Sequence, residues 1–142
     1  MPIVKVLIVD DSFETLETLS LLYSNRTDIQ VVGAVQTGDE ATEFLKNNDA
    51  DIVSIDIELR AENGIALCKK LHGTYPNLFI TMCSVEDSLK NRELSSQAGA
   101  RYFLPKPVST SDIGNLLIRF YESKVKTNVP DTELNWIDDF LC

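Results

Sequence analysis

Cysteine and histidine are scarce in this 142-residue chain, which holds three cysteines and one histidine. Cys68, Cys83 and Cys142 are widely spaced, odd in number and form no CxxC pair, so no disulfide framework is expected. Free thiols of this kind suit a reducing cytoplasm. The single histidine, His72, excludes a metal cluster of several histidines and leaves no convincing Ser-His-Asp triad.

Positive charge is also in short supply, because 22 acidic residues outnumber 13 lysines and arginines and give a net charge of −9. Affinity for nucleic acid depends on neutralising phosphates with basic side chains, so this chain is not expected to bind nucleic acid directly. No apolar stretch approaches the ~20 residues that span a bilayer, and the start Met1-Pro2-Ile3 is not a secretory signal. These features predict a cytoplasmic protein, not attached to a membrane, that acts on other proteins.

Five short apolar runs alternate with helical patterns along the chain. Four of the runs are almost continuously Val, Ile, Leu or Phe, which is typical of parallel strands covered on both faces. Alternating strands and helices with right-handed crossovers predict an α/β fold, with a doubly wound five-stranded parallel sheet and five flanking helices. The predicted strands span residues 3–9, 29–35, 52–55, 78–83 and 101–104.

Helical spacing also predicts details of individual helices. Phe13 is expected to face inward from the first helix, and Leu89, Leu94 and Ala98 from a fourth helix over residues 86–98. Gly73 is expected to end the third helix, because glycine is common just after a helix C-terminus. The segment 37–40 has the pattern of a capping box at the start of the second helix.

Polar side chains follow four of the predicted strands, where each strand ends: Asp10 and Asp11, Asp56, Ser84, and Lys106. Ligands of open parallel sheets bind beyond the carboxyl ends of the strands, so these side chains are predicted to meet at one edge. Carboxylate oxygens suit Mg²⁺, and an aspartate can act as a nucleophile toward phosphorus. The edge therefore predicts a site for a divalent cation and a phosphoryl group.

Each of these residues has an ordinary explanation when taken alone. An Asp-Asp pair after a strand is often a helix N-cap, Ser84 is typical of a turn, and Lys106 is typical of a solvated surface. Asp56 alone is equally compatible with a polar loop. Only their joint placement after successive strands favours a functional site.

The segments that carry these residues together resemble the receiver domain of two-component response regulators, the CheY-like family. Residues 8–12 are similar to the acidic pair that opens the family, and Asp56 with Gly64 to the phosphoacceptor and its following glycine. Ser84 is similar to the switch hydroxyl, and residues 99–107 to the segment with the switch aromatic and the lysine. The resemblance covers residues 1–123 and implies a flavodoxin-like sheet with strand order 2-1-3-4-5.

The resemblance also implies roles at the sheet edge. Asp56 would accept a phosphoryl group, and Asp10 and Asp11 would bind Mg²⁺ together with Asp56. The main-chain carbonyl of Glu58 would be a further magnesium ligand. Lys106 would pair with the phosphoryl group.

Further implications concern switching. Ser84 and Phe103 would be the switch pair, with the hydroxyl moving toward the phosphate and the ring turning inward. The bond between Lys106 and Pro107 would be cis. The responding surface would comprise the fourth helix, the last strand and the last helix, and a homodimer through that surface is one arrangement that the resemblance allows.

The implied function is a phosphorylation-dependent signalling switch rather than an enzyme, with any autophosphatase activity slow and intrinsic. Its phosphodonor would be a phosphohistidine on a sensor histidine kinase or a phosphotransfer protein, and its downstream partner an unidentified protein. Three alternatives stay open at this point. They are a receiver-like binding module that is never phosphorylated, an aspartate-nucleophile phosphatase using Asp56 and Glu58, and a flavodoxin-like electron carrier.

Two segments depart from the family pattern. Leu59-Arg60 stands where the family often has Met-Pro, and Val85 follows Ser84 where a smaller residue is usual. Residues 124–142 are predicted to be a linker and a short amphipathic tail. Its apolar side chains are compatible with a terminal helix docked on its own domain, a tail left by truncation of a longer protein, or a partner-binding peptide.

Overall fold

The computed structural model describes residues 2–126, in which five strands alternate with five helices. The strands are β1 (Val4–Val9), β2 (Ile29–Val35), β3 (Ile52–Asp56), β4 (Phe79–Ser84) and β5 (Tyr102–Pro105). The helices are α1 (Phe13–Ser24), α2 (Gly38–Asn47), α3 (Gly64–Thr74), α4 (Leu89–Gln97) and α5 (Thr110–Lys126). No helix within this range is long and apolar enough to cross a membrane.

The five strands form one parallel sheet in the order β2-β1-β3-β4-β5, which confirms the predicted fold and strand order. In this register Val9 lies opposite Ile55, and Ser84 lies opposite Pro105. The carboxyl ends of β1, β3, β4 and β5 therefore finish at one edge. Every residue that follows these strands begins its loop at that edge.

Side chains of the central strands alternate between two apolar cores, one on each face of the sheet. One core lies under α2, α3 and α4 and includes Leu7, Ile55, Leu67 and Met82. The other lies under α1 and α5 and includes Ile8 and Leu116. Both faces of β3 and β4 are covered, and every residue of these two strands is buried. This is why their sequences are apolar without alternation.

Helix starts follow local capping chemistry. The Ser12 side chain accepts a hydrogen bond from the Thr15 N–H at the start of α1, and Thr37 accepts one from the Glu40 N–H at the start of α2. The Glu40 carboxylate in turn accepts hydrogen bonds from the Thr37 hydroxyl and the Gln36 N–H. The predicted capping box is therefore present, with its return bond one residue earlier than expected.

Three side chains predicted to face inward are exposed instead. Phe13 is 64% exposed, Leu89 73% and Leu94 40%. The fourth helix begins at Leu89 rather than at residue 86, because Ser88 caps it by accepting the Asn91 N–H. Its inward face carries Ser95 in place of the expected leucines, and Ala98 at its C-cap is buried as predicted.

The predicted end of the third helix was also wrong. Gly73 lies inside α3, and Tyr75 is the residue that caps its C-terminus. The described glycine with positive φ is Gly99, at 110°, after α4. A glycine near the end of a helical pattern does not by itself fix the last residue of the helix, which varies by one or two positions.

Helix α5 continues through Lys126, so the first three residues of the segment predicted as a linker belong to this helix. The remaining predicted linker and amphipathic tail, residues 127–142, lie outside the described residues.

Candidate functional site

Three carboxylates meet at the carboxyl edge of the sheet. Asp10 follows β1 and Asp56 ends β3, and their side chains are buried, with residue exposures of 1% and 4%. Asp11 is partly exposed beside them. One oxygen from each of the three lies within 4.8 Å of the others. The structure thus brings together the acids that the sequence placed after separate strands.

Local hydrogen bonds orient the two buried acids. The Ser12 N–H donates to Asp10 Oδ1 at 2.9 Å, and the Glu58 N–H donates to Asp56 Oδ1 at 3.2 Å. The N-cap of α1 is Ser12, not Asp10 or Asp11. The ordinary explanation of the Asp-Asp pair as a helix cap is therefore wrong for this chain.

Lys106 reaches into the same cluster from the end of β5. Its Nζ lies 2.9 Å from Asp10 Oδ2 and 3.3 Å from Asp56 Oδ1. The bond between Lys106 and Pro107 is cis, as predicted. Lys106 is thus a partly buried cation held between two buried carboxylates rather than a solvated surface lysine.

The charges in this cluster are unbalanced. Burial, together with the negative charge of Asp10 and contact with the Glu58 carboxyl, raises the pKa of Asp56 to about 6, although Lys106 opposes the shift. Burial lowers the pKa of Lys106, but hydrogen bonding to Asp10 and the charge of Asp56 outweigh it and raise that pKa overall. One lysine is not enough to neutralise three acids, so the cluster favours an added cation.

The donor set fits a hard divalent cation. Three carboxylates with oxygens this close supply the ligands that Mg²⁺ prefers, with the remaining positions open to water. Asp10, Asp11 and Asp56 are the residues that would hold it. The raised pKa of Asp56 supports the fit, because burial and the charge of Asp10 disfavour its ionised form, and a bound cation would offset both.

Ser84 ends β4, and its hydroxyl is already engaged. It donates to Glu58 Oε1 at 2.5 Å and accepts the Glu86 N–H at 3.0 Å. The sequence drew attention to the main-chain carbonyl of Glu58, whereas the structure shows its side chain bound to Ser84. No sequence signal pairs these residues, which lie 26 positions apart, Glu58 in the loop after β3 and Ser84 at the end of β4.

Arg60 forms a second contact that the sequence did not predict. Its Nε lies 3.3 Å from Asp11 Oδ2, although the arginine side chain is otherwise exposed. Arg60 occupies a position where the resemblance led us to note a missing proline. Here the loop after β3 is linked to the acidic cluster by an ion pair.

Phe103 lies on β5 opposite Met82 and is buried in the core under α3 and α4. The Arg92 guanidinium of α4 lies 4.8 Å from the centre of its ring. A cation stacked on an aromatic face is favourable, so Arg92 helps to hold the ring in place. Phe103 therefore sits between the sheet and the α4 surface.

Gly64 sets the approach of α3 to the end of β3. A Cβ at this position would lie 2.0 Å from the Asp56 carbonyl oxygen and 2.8 Å from the Ile57 Cα. The Gly64 N–H also donates to the Ile57 carbonyl at 2.8 Å. Glycine is required here because backbone contacts backbone with no room for a side chain.

A model of the response regulator receiver domain family matches residues 6–118. The chain belongs to this family.

Curated relatives of this receiver domain are longer proteins. The protein-glutamate methylesterase/protein-glutamine glutaminase of Azospirillum brasilense is 34% identical over 128 residues, which are 87% of this chain and 32% of that protein. Response regulator MprA of Mycobacterium sp. (strain KMS) is 31% identical over 112 residues, 78% of this chain and 47% of that protein.

Solved receiver domains have the same architecture. The response regulator domain of Thermotoga maritima CheB is 26% identical with a TM-score of 0.73, and the match covers 90% of this chain and 98% of that one. A CheY-like receiver domain from Methanospirillum hungatei is 24% identical with a TM-score of 0.77, covering 87% and 98%. The chain spans less than half the length of the curated relatives above. It is a response regulator receiver domain, the module of two-component signalling systems.

Proposed function

We propose that this receiver domain accepts a phosphoryl group on Asp56 and signals by a change of surface. The observation that carries the proposal is the cluster of Asp10, Asp11 and Asp56 with Lys106 Nζ bonded between two of the acids. A carboxylate nucleophile, a cation site and an amine for the phosphoryl oxygens are the parts that phosphoryl transfer needs.

The proposed donor is a phosphohistidine on a sensor histidine kinase or a phosphotransfer protein. A carboxylate oxygen of Asp56 forms a bond to phosphorus as the bond from phosphorus to the imidazole nitrogen breaks, and the electron pair stays on that nitrogen. Magnesium, when bound, would screen the charge that spreads over the phosphoryl oxygens. Lys106 is placed to neutralise one of those oxygens.

The proposed output starts at Ser84 and Phe103. Phosphorylation adds about −1.5 to −2 charges at the site, and an acceptor oxygen there competes with Glu58 for the Ser84 hydroxyl. Movement of Ser84 would change the packing of Phe103, which lies on the neighbouring strand β5. The surface of α4, β5 and α5 is thus the proposed contact for a downstream protein or for a second copy of the chain.

In this proposal the chain is a phosphoacceptor switch rather than an enzyme, and it works in the cytoplasm. The esterase and glutaminase activities in the names of longer relatives belong to those proteins. A receiver-like module that binds partners without phosphorylation would not need Lys106 between its carboxylates.

Incubation with Mg²⁺ and acetyl phosphate tests the proposal by intact mass. Wild-type protein is expected to gain one phosphoryl adduct, and the Asp56→Asn variant none, because an amide is not a nucleophile toward phosphorus. Chelation of Mg²⁺ is expected to prevent the adduct. An unmodified wild-type protein, or an equal adduct on the variant, contradicts the proposal and leaves the unphosphorylated binding module.

Replacement of Glu58 by alanine is expected to speed modification by acetyl phosphate by about threefold or more. The variant frees the Ser84 hydroxyl and removes a negative charge near the incoming phosphoryl group, where an exposed charge is worth up to ~1 kcal/mol. Glu86→Ala is the matched control, since Glu86 contacts Ser84 only through its N–H. Equal rates for Glu58→Ala and the wild type in a mass-spectrometric time course would show that the contact does not restrain Ser84.

A further inference from the structure

A groove of about 390 Å³ lies on the surface formed by α4, β5 and α5. Three arginines line it, one from each element's side: Arg92 from α4, Arg101 from the loop before β5, and Arg119 from α5. Partly exposed Tyr102 provides aromatic surface between them, and Arg92 stacks on the ring of the buried Phe103. We refer to this feature as the arginine groove.

The arginine groove is positive in a strongly negative molecule. Arg92 is paired with Asp87 of the preceding loop, with nitrogen–oxygen distances of 2.5 and 3.1 Å, and Asp112 also lines the groove. Arg101 and Arg119 form no ion pair with any residue in the described range 2–126. A local excess of positive charge where the chain carries −9 overall favours an acidic occupant.

A polar atom at the groove also lacks a partner. Ser95 lines the groove and is 2% exposed, and its hydroxyl has no hydrogen-bond partner among the described residues. Buried hydroxyls are normally paired, because an unsatisfied one is unfavourable. The hydroxyl is buried rather than open to the groove, so an occupant would contact the arginines and the aromatic surface and not this atom.

The chain itself supplies a segment of matching chemistry. Residues 127–142 carry four acids and no lysine or arginine. They also hold five large apolar side chains, among them Trp136 and Phe140, which match the aromatic surface of the groove. An acidic segment with aromatic anchors is complementary to an arginine-lined groove with an aromatic floor.

The segment is long enough to reach the groove. It follows α5, and Arg119 lies seven residues, or roughly 10 Å of helix, before Lys126. An extended chain advances about 3.3 Å per residue, so the residues between Lys126 and Trp136 can cover roughly 30 Å. The chain can therefore turn back at the end of α5 and place Trp136 beside Tyr102.

We propose that the acidic, aromatic segment 127–142 docks in the arginine groove of its own domain, through Arg101 and Arg119. Docking of this kind covers the surface that we propose for signal output, so a partner would have to displace the segment. The tether keeps its effective concentration in the millimolar range, so modest affinity is enough for occupancy.

Trp136 is the single tryptophan of the chain and reports its own environment. In the 142-residue chain at low salt, we expect quenching of its fluorescence by acrylamide to be about threefold weaker than in a synthetic peptide of residues 127–142. The double variant Arg101→Glu/Arg119→Glu is expected to raise quenching to the level of the peptide. About 0.5 M NaCl should also raise the quenching of Trp136, because salt screens exposed charges.

Lys69→Glu/Lys70→Glu is the matched control, since it changes the net charge equally at two exposed positions of α3, away from the groove. This variant should retain the protection of Trp136. Quenching equal to the peptide in the wild type, or equal protection in both charge-reversed variants, contradicts the proposal. The proposal is also contradicted if the protection of Trp136 increases with protein concentration and light scattering gives the mass of a dimer. In that case the segment of a second copy occupies the groove.

The docking does not depend on phosphotransfer. Asp56→Asn should show the same protection of Trp136 as the wild type, even though it accepts no phosphoryl group. Failure of the docking and failure of the proposed phosphorylation are therefore separate results.

Discussion

Replacing Gly64 with alanine is expected to destabilise the domain by about 3 kcal/mol in urea unfolding at pH 7. The new Cβ would lie 2.0 Å from the Asp56 carbonyl oxygen and 2.8 Å from both the Asp56 carbonyl carbon and the Ile57 Cα. All three are backbone atoms at the end of a central strand, so no side chain can rotate away. Either α3 or the end of β3 must move.

Gly73→Ala is the matched control for this change. It is the same substitution within the same helix, and a Cβ there meets nothing within 4 Å. Alanine favours a helix by roughly 0.5–1 kcal/mol over glycine, so this variant is expected to be slightly more stable than the wild type. A Gly64→Ala variant within about 0.5 kcal/mol of the wild type would show that α3 is free to shift. If the variant folds, displacement of Asp56 should also reduce modification by acetyl phosphate.

Replacing Asp56 with asparagine is expected to stabilise the magnesium-free protein by about 2 to 3 kcal/mol at pH 7. The pKa of Asp56 is raised to about 6 when folded, chiefly by burial, against ~3.9 in an unfolded chain. A raised folded pKa means that the folded state holds the proton more tightly. The stabilising contribution of Asp56 is therefore complete below pH ~4 and is lost as pH rises to about 6.

The variant removes this titration, so its advantage should be present at pH 7 and absent near pH 4. Urea unfolding of both proteins across that range, without Mg²⁺, measures the effect. Asp49→Asn, the same change at an exposed position, should stay within about 0.5 kcal/mol of the wild type throughout. An advantage that is independent of pH, or a less stable Asp56→Asn at pH 7, would contradict the raised pKa of this carboxyl.

Added Mg²⁺ should reduce the difference in stability between the wild type and Asp56→Asn. A cation that binds the folded state stabilises it by mass action, and it binds best where all three carboxylates are ionised. Wild-type protein is therefore expected to gain more stability from added Mg²⁺ at pH 7 than Asp56→Asn does.

The helices were harder to predict than the sheet. Short continuous apolar runs that alternate with helical patterns are typical of parallel strands covered on both faces. The α4 pattern was misleading because Leu89 and Leu94 are exposed, while Ser95, which was not expected to pack, is buried. Small residues allow a helix to approach a sheet closely, and that choice depends on what lies beneath the helix rather than on its own sequence.

The candidate site likewise combines contacts that the sequence predicts with contacts that it does not predict. The strand order brings the ends of β1, β3 and β5 together, so the meeting of Asp10, Asp56 and Lys106 followed from where each residue stands after its strand. The contact of Glu58 with Ser84 did not follow, nor did that of Arg60 with Asp11. Loop side chains have several rotamers within reach of several partners, and only the packed loops select one.

The sequence by itself determined the fold, the family and the acids that gather at the sheet edge. These depend on the period of the apolar residues and on which residues end each strand. Both are properties of short segments of the sequence. The tertiary structure alone decided the proton balance of Asp56, the engagement of Ser84 and the existence of the arginine groove. Each of these depends on distances between residues far apart in the chain and on burial, which exist only once the helices have packed on the sheet.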